Sequence, residues 1–236
     1  MSSVSNRTRP IEVLMYALTF TSGIIDAVTI LGLGDIFASL MTGNVVYIGM
    51  GLGGYDEVSP LRSVFAIAAF VLGSILAGRL ATQFINRAVG SWLLVVCTIE
   101  VLFILGAAGA ALQIGPDGPP DPLSMQVLIA IGMASVAMGL RNSTILRLSI
   151  PDLKVTVLTL SISGFGADIG SGKSDQQKQL RRLFSIALIG AGATCGAMLF
   201  YRYGVAVPLC LIATIVATAT FAFSRTAEAR LIVSEL

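Results

Sequence analysis

Long apolar runs alternate along the chain with short polar interruptions, and six of the runs have the length of a membrane-crossing helix. They are Ile11–Leu33, Ser63–Leu80, Ser91–Leu112, Met125 to about Leu146, Leu183–Tyr201 and Val205–Phe223. A helix rises ~1.5 Å per residue, so runs of this size cross the ~30 Å hydrocarbon core of a bilayer. Two further apolar stretches are built differently. Residues 33–54 carry Thr42-Gly43-Asn44 in their middle and Gly49, Gly51, Gly53 and Gly54 at their end. Residues 155–169 are studded with Thr156, Thr159, Ser161, Ser163, Gly164 and Gly166. Glycine costs about 1 kcal/mol in a helix interior relative to alanine. Non-helical backbone at membrane depth survives only where protein buries it or where it lines a wet cavity. The pattern predicts an all-α integral membrane protein with six transmembrane helices plus two broken, re-entrant segments. Thr42-Gly43-Asn44 is the expected first break, facing a small polar cavity.

The interruptions divide the chain. Gln113–Ser124 holds four prolines, two glycines and two aspartates, so it cannot continue a helix. It separates a first membrane repeat, 1–112, from a second, 125–236. Each half reads helix, broken segment, glycine-rich helix, helix. Gly23-Ile24-Ile25-Asp26 matches Gly139-Leu140-Arg141-Asn142 at an offset of 116, and Thr42 and Gly73 are spaced like Thr159 and Gly190. Three crossings per half place the halves in opposite orientations, the inverted-repeat plan of many secondary transporters. With the N-terminus inside, thirteen of the fifteen basic residues lie inside, leaving Arg62 and Arg202 outside. If both odd segments crossed fully, Arg79 and Arg87 would move outside. The positive-inside rule therefore favours six crossings with both termini cytoplasmic.

Composition agrees with this reading. Of 236 residues, 55% are hydrophobic and only 12% charged, and the mean hydropathy is +0.87. Soluble domains carry roughly 25% charged residues, which excludes an ordinary soluble protein. The net charge of +2 gives no basis for nucleic-acid binding. There is no histidine, which removes the commonest metal ligand and leaves proton coupling to carboxylates. Cys97, Cys195 and Cys210 are unpaired in spacing and read as small buried hydrophobes. The polar start with Arg7 and Arg9 resembles a signal sequence, but the apolar run after it is too long and lacks a cleavage site. Three matches are rejected. Ala167–Ser174 fits a phosphate-loop pattern without a preceding strand. Gly49-x-Gly51-x-x-Gly54 lies in a membrane segment, and Asn6-Arg7-Thr8 falls on the inner side. No catalytic constellation, metal site or cofactor is expected, so an enzyme is not.

Asp26, inside the first crossing, is the foremost candidate. A carboxylate at a helix centre costs roughly 2.5–3.5 kcal/mol on insertion scales, so it should face the bundle and find partners such as Asn44 or Asn142. It reads as a proton or cation site, or as a structural pin for the broken segment. Thr42, Gly43, Asn44, Thr156 and Thr159 supply side-chain and backbone groups at the breaks, where half-helix N-termini suit an anion. Thr and Ser in membrane helices also bond back to their own turn. Glu100 near the centre of the third crossing and Arg141 beside Asn142 are secondary candidates, with Arg141 alternatively snorkelling to the inner interface. Gly192-x-x-x-Gly196 offers a close-packing face, within one chain or in a homo-oligomer.

Gly23–Val28, Met41–Val46 and Thr156–Thr159 together resemble the YoaK-like family of bacterial multi-pass membrane proteins. The likeness covers nearly the whole chain, and the Asp-Ala-Val plus Thr-Gly-Asn pairing carries it. It implies an integral protein of the bacterial inner membrane whose biochemical role is undescribed. Similar proteins tend to carry glycine where this one has Leu160, so the second break should be less open here. The residues point first to a secondary transporter of an unidentified small solute or ion. Its site would lie between the halves near Asp26, Thr42, Asn44, Asn142 and Thr159. The alternative is a non-transporting membrane scaffold whose polar centre only fixes the fold.

Overall fold

The computed structural model describes residues 10–117, 124–148, 162–164, 166 and 176–231. Among them the regular structure is helical, with no strand: α1 (Pro10–Leu33), α2 (Met41–Leu52), α3 (Pro60–Gln83), α4 (Val89–Ala110), α5 (Met125–Leu148), α6 (Gln176–Tyr203), α7 (Ala206–Ser224) and a 3-10 turn, Glu228–Arg230. All but α2 and the 3-10 turn are long and apolar enough to cross a membrane. Most of the second odd segment, including Thr156, Thr159 and Leu160, lies outside the described residues, as does the rejected 167–174 pattern.

Contacts at the helix ends fix how the crossings alternate. At one end, Glu12 of α1 pairs with Arg181 of α6 at 2.7 Å. There too the Ile11 amide donates to Glu228, past the end of α7, and the Val89 amide at the start of α4 donates to Leu231. Glu12 also places negative charge in the first turn of α1, where the helix dipole favours it. At the opposite end, the Arg62 guanidinium at the start of α3 donates to the Leu33 carbonyl closing α1, at 3.3 Å. The Val205 amide at the α6–α7 turn donates to Ile114, just past α4. The six long helices therefore run alternately up and down.

The most extensive packing is between α1 and α6 and between α3 and α5, with α4 lying against both α5 and α7, and α1 against α7. Glycines set the two main crossings. A Cβ on Gly23 would run into the Ile189 carbonyl of α6, and one on Gly192 into the Phe20 carbonyl of α1. In the other pair, a Cβ on Gly139 would strike the Phe70 carbonyl of α3, and one on Gly73 the Val136 carbonyl of α5. Such close backbone approach is how membrane helices gain packing energy when lipid is as apolar as the interface. Gly190, matched to Gly73 by sequence spacing, has nothing within 4 Å; Gly192 makes the crossing instead. Gly196 also lies on α1, against Ile24, so the Gly192–Gly196 face is used within the chain.

Residues 34–52 form a hairpin. The chain leaves α1 through Gly34 and Asp35, both at positive φ (87° and 53°), the left-handed region open to glycine and tolerated by aspartate. Gly34 lies against the Arg62 side chain, and at the far end of α2 Gly51 lies against Pro60. Both ends of the segment thus sit beside the first turn of α3. Twelve residues of α2 span about 18 Å, well short of a ~30 Å core. The segment enters and leaves on one side. Thr42-Gly43-Asn44 is not the break, however: it forms the first turn of α2, and the non-helical stretch is 34–40. A glycine in the first helical turn is tolerated because the intrahelical ladder has barely begun there.

Candidate functional site

The hairpin is held by two side chains. Asp26 lies seven residues before the end of α1, roughly 10 Å inward along the helix. Its Oδ1 accepts from the Ser39 amide at 2.9 Å, and its Oδ2 accepts from the Ser39 hydroxyl. The stretch from Gly34 to Ser39 therefore runs back along α1 before α2 turns outward again. Asn44, fully buried at 0% exposure, closes a second ring. Its Oδ1 accepts from the Phe37 amide at 2.9 Å, and its Nδ2 donates to the Phe37 carbonyl at 2.7 Å. One amide side chain thus satisfies both backbone groups of a residue that no regular structure pairs, the full accounting buried backbone requires. Gly43 makes room for this arrangement: a Cβ there would press on the Phe37 ring, which stacks on Tyr47 with centroids 5.7 Å apart.

The second polar cluster lies among α1, α4 and α5. Arg141 and Glu100 are each only 1% exposed and form an ion pair. Arg141 Nε donates to Glu100 Oε1 at 2.8 Å, and Nη2 donates to the same oxygen. Nη1 turns to α1, donating to Thr21 Oγ1 at 2.9 Å, to Ser22 Oγ at 3.3 Å and to the Leu18 carbonyl at 3.3 Å. The hydroxyls in turn donate to the Leu18 carbonyl. Arg141 therefore does not snorkel; it is neutralised and bonded in the interior, the condition under which a buried guanidinium is tolerated. Beside it is a cavity of about 10 Å³, close to the size that admits one water.

The expected residues are not gathered into one site. Asp26 and Asn44 serve the same hairpin through different loop residues, Ser39 and Phe37. Asn142 is buried on α5, but among the described residues no hydrogen bond joins it to Asp26 or Asn44. Thr42 is exposed. Cys97 is buried as expected, whereas Cys195 is half-buried and Cys210 exposed, both on membrane-spanning helices. Sequence reasoning took Glu100 and Arg141 singly and missed their pairing. The signal was two opposite charges near the middle of successive crossings, each costly alone. It also missed Ser39, Thr21 and Ser22. The last two form a hydroxyl pair set into an apolar run, within about a turn of Asp26.

A family model described as "Protein of unknown function (DUF1275)" matches residues 14–222. The chain belongs to this family. It is similar to the "UPF0700 transmembrane protein YoaK" of Bacillus subtilis (strain 168), 29% identical over 224 residues that cover 89% of this chain and 95% of that protein. No solved structure matches. The matched region of the DUF1275 chain takes in both polar clusters and nearly all of the six long helices.

Proposed function

We propose that this protein is a secondary transporter of the bacterial inner membrane, built from two inverted repeats and carrying a small solute or ion between them. The observation that supports this best is the exchange of packing partners. Phe20 and Gly23 of α1 stand 116 residues from Val136 and Gly139 of α5, and Phe70 and Gly73 of α3 stand 119 residues from Ile189 and Gly192 of α6. Each member of one crossing thus has a counterpart in the other at a constant offset. The two crossings would be the same joint seen from opposite sides of the membrane, and alternating access would rock one about the other.

Intramembrane ionisable groups near such a joint are functional candidates by default. Asp26, at the inner tip of the hairpin, is the coupling group of this reading, with Glu100 and Arg141 as the charged centre. Asn142, Thr42, Gly43, Thr156 and Thr159 complete the proposed solute path. The termini face the cytoplasm. Arg141 leaves the topology count because it is buried, yet the remaining basic residues keep the same asymmetry.

A second reading has its own observation. Asn44 and Arg141 are bonded so completely that they suit a scaffold whose polar centre only fixes the fold. The two readings separate by experiment. Solutes that bind the folded state raise apparent stability in detergent, and a screen of metabolites by thermal shift selects candidates for uptake in proteoliposomes. On the transport reading, Asp26→Asn inserts and melts as a folded protein but loses uptake. Uptake unchanged in that variant removes Asp26 from the mechanism, and a screen with no stabilising solute favours the scaffold.

A further inference from the structure

A cavity of about 470 Å³ opens between α4 and α7, lined by Leu94, Cys97, Thr98 and Val101 on one side and Ala217, Thr218, Thr220 and Phe221 on the other. It is separate from the hairpin and shares only Cys97 with the small cavity beside the Glu100–Arg141 pair, and its size falls in the range of small-molecule sites, about 300–1,000 Å³. The walls are more apolar than their composition suggests. Thr98 and Thr218 turn their hydroxyls back to the carbonyls of Leu94 and Thr214 on their own helices, presenting methyl groups to the groove. Thr220, 2% exposed, keeps its hydroxyl buried beside the Cys97 thiol, so it adds no polar group to the groove.

The position of the groove along the bundle is informative. Its α4 residues lie roughly 8–18 Å from the start of that helix, and its α7 residues roughly 5–11 Å from the end of theirs. These two ends meet, tied by the Val89–Leu231 hydrogen bond and by Gly90 lying against Ala229. Arg87 lies two residues ahead of α4, Arg225 directly follows α7 and Arg230 ends the 3-10 turn, and all three are exposed. Among the described residues no carboxylate pairs with any of them; the nearby Glu228 instead accepts from the Ile11 amide. Arg225 folds back over Phe221, its guanidinium carbon 4.5 Å from the ring centroid, so it stands over a wall of the groove.

We propose that this groove holds an acyl chain of an anionic phospholipid, with the phosphate at Arg225 and the arginines that flank the same helix ends. A slot lined by methyl groups gains little by exchanging one lipid tail for another. Selectivity must then come from charge at the mouth, and basic pockets between membrane helices select anionic headgroups. The inference is independent of whether the protein transports anything.

The test uses the full chain in detergent, titrated with phosphatidylglycerol or phosphatidylcholine, with bound lipid counted by native mass spectrometry. Phosphatidylglycerol is expected to be retained where phosphatidylcholine is lost, and each of Arg225→Gln and Arg230→Gln should weaken that retention by about fivefold. Ala217→Trp, at an exposed lining position, should remove the bound lipid without altering charge. Thr98→Trp, also exposed, makes the same test if the first variant fails to fold. Equal retention of the two lipids overturns the proposal, as does undiminished retention in a folded tryptophan variant. A dimer that the tryptophan variants split overturns it too, because a second copy of the chain would then be the occupant.

Discussion

Where α1 crosses α6, Gly23 and Gly192 bring two backbones together; where α3 crosses α5, Gly139 and Gly73 do the same. Two residues past each of Gly23 and Gly139 the likeness ends. α1 continues with Ile25 and Asp26, α5 with Arg141 and Asn142. Ile25 is fully buried among apolar neighbours, whereas Arg141, in the corresponding place, is buried against Glu100 and the hydroxyls of α1. Asp26 in turn holds a hairpin through Ser39. Close helix approach is thus common to both crossings, and the partners of their polar groups are not. The glycines carry the architecture; the polar groups give each crossing separate work.

The largest expected effect comes from the buried ion pair that joins α5 to α4. Arg141→Met strands Glu100 in the interior and should destabilise the protein by about 3–5 kcal/mol, read as a lowered melting temperature in detergent. Adding Glu100→Met should recover much of that loss, because two apolar groups need no partner. If the double variant melts as low as the single one, the ion pair is not the source of the cost.

Next come the glycines themselves. Gly23→Val, Gly192→Val, Gly73→Val and Gly139→Val each push a side chain into a facing backbone and should cost about 1–3 kcal/mol or more. The comparison predicts similar penalties at all four positions. A large loss in one pair and none in the other would show that the crossings are not alike. Gly190→Ala meets open space and should be neutral or slightly stabilising, by up to about 1 kcal/mol from helix propensity.

The hairpin should respond more mildly. Asn44→Ala leaves both Phe37 backbone groups without their partner, costing about 1–3 kcal/mol. Ser39→Ala removes one hydroxyl donor from Asp26 but leaves the backbone amide in place. Its expected cost, about 1 kcal/mol, is the smallest among the destabilising changes. Protease nicking within 34–40, measured in proteoliposomes, should rise in the same order. Equal nicking in both variants would mean that Asn44 is not the principal fastener.

Much of this was legible in the chain because membrane physics is blunt. A run of apolar residues long enough to cross must be a helix, so all six long helices could be read from length alone. Asp26 and Asn44 stood out as polar groups in apolar surroundings, and both have structural partners in the hairpin, Ser39 and Phe37. The position of the break was less legible. Gly43 suggests a weak point in a helix, but in the structure it makes room for the Phe37 ring. The chain actually opens at Gly34-Asp35, where a positive φ marks the turn. The pairing of Glu100 with Arg141 depends on which helices are neighbours across 41 residues of sequence, and periodicity within a single helix carries no such information. Gly192 was legible as a packing glycine, but the repeat register that matched Gly73 to Gly190 is two residues off: helical facing changes by about 100° per residue, so such a slip selects the wrong side.

The central claim is that 34–52 is a hairpin returning to its own side between oppositely directed crossings. Sidedness of labelling in a cysteine-free background tests it most directly, with Tyr55→Cys after α2 compared with Ile85→Cys after α3. Both positions are exposed. An impermeant maleimide added to intact spheroplasts should label position 55 and spare position 85 until the membrane is opened. Labelling of 85 from outside with 55 protected, while Asp35→Cys at an exposed position ahead of α2 still labels from outside, would mean that α2 crosses the bilayer, and the hairpin together with the arrangement of halves built on it would be wrong.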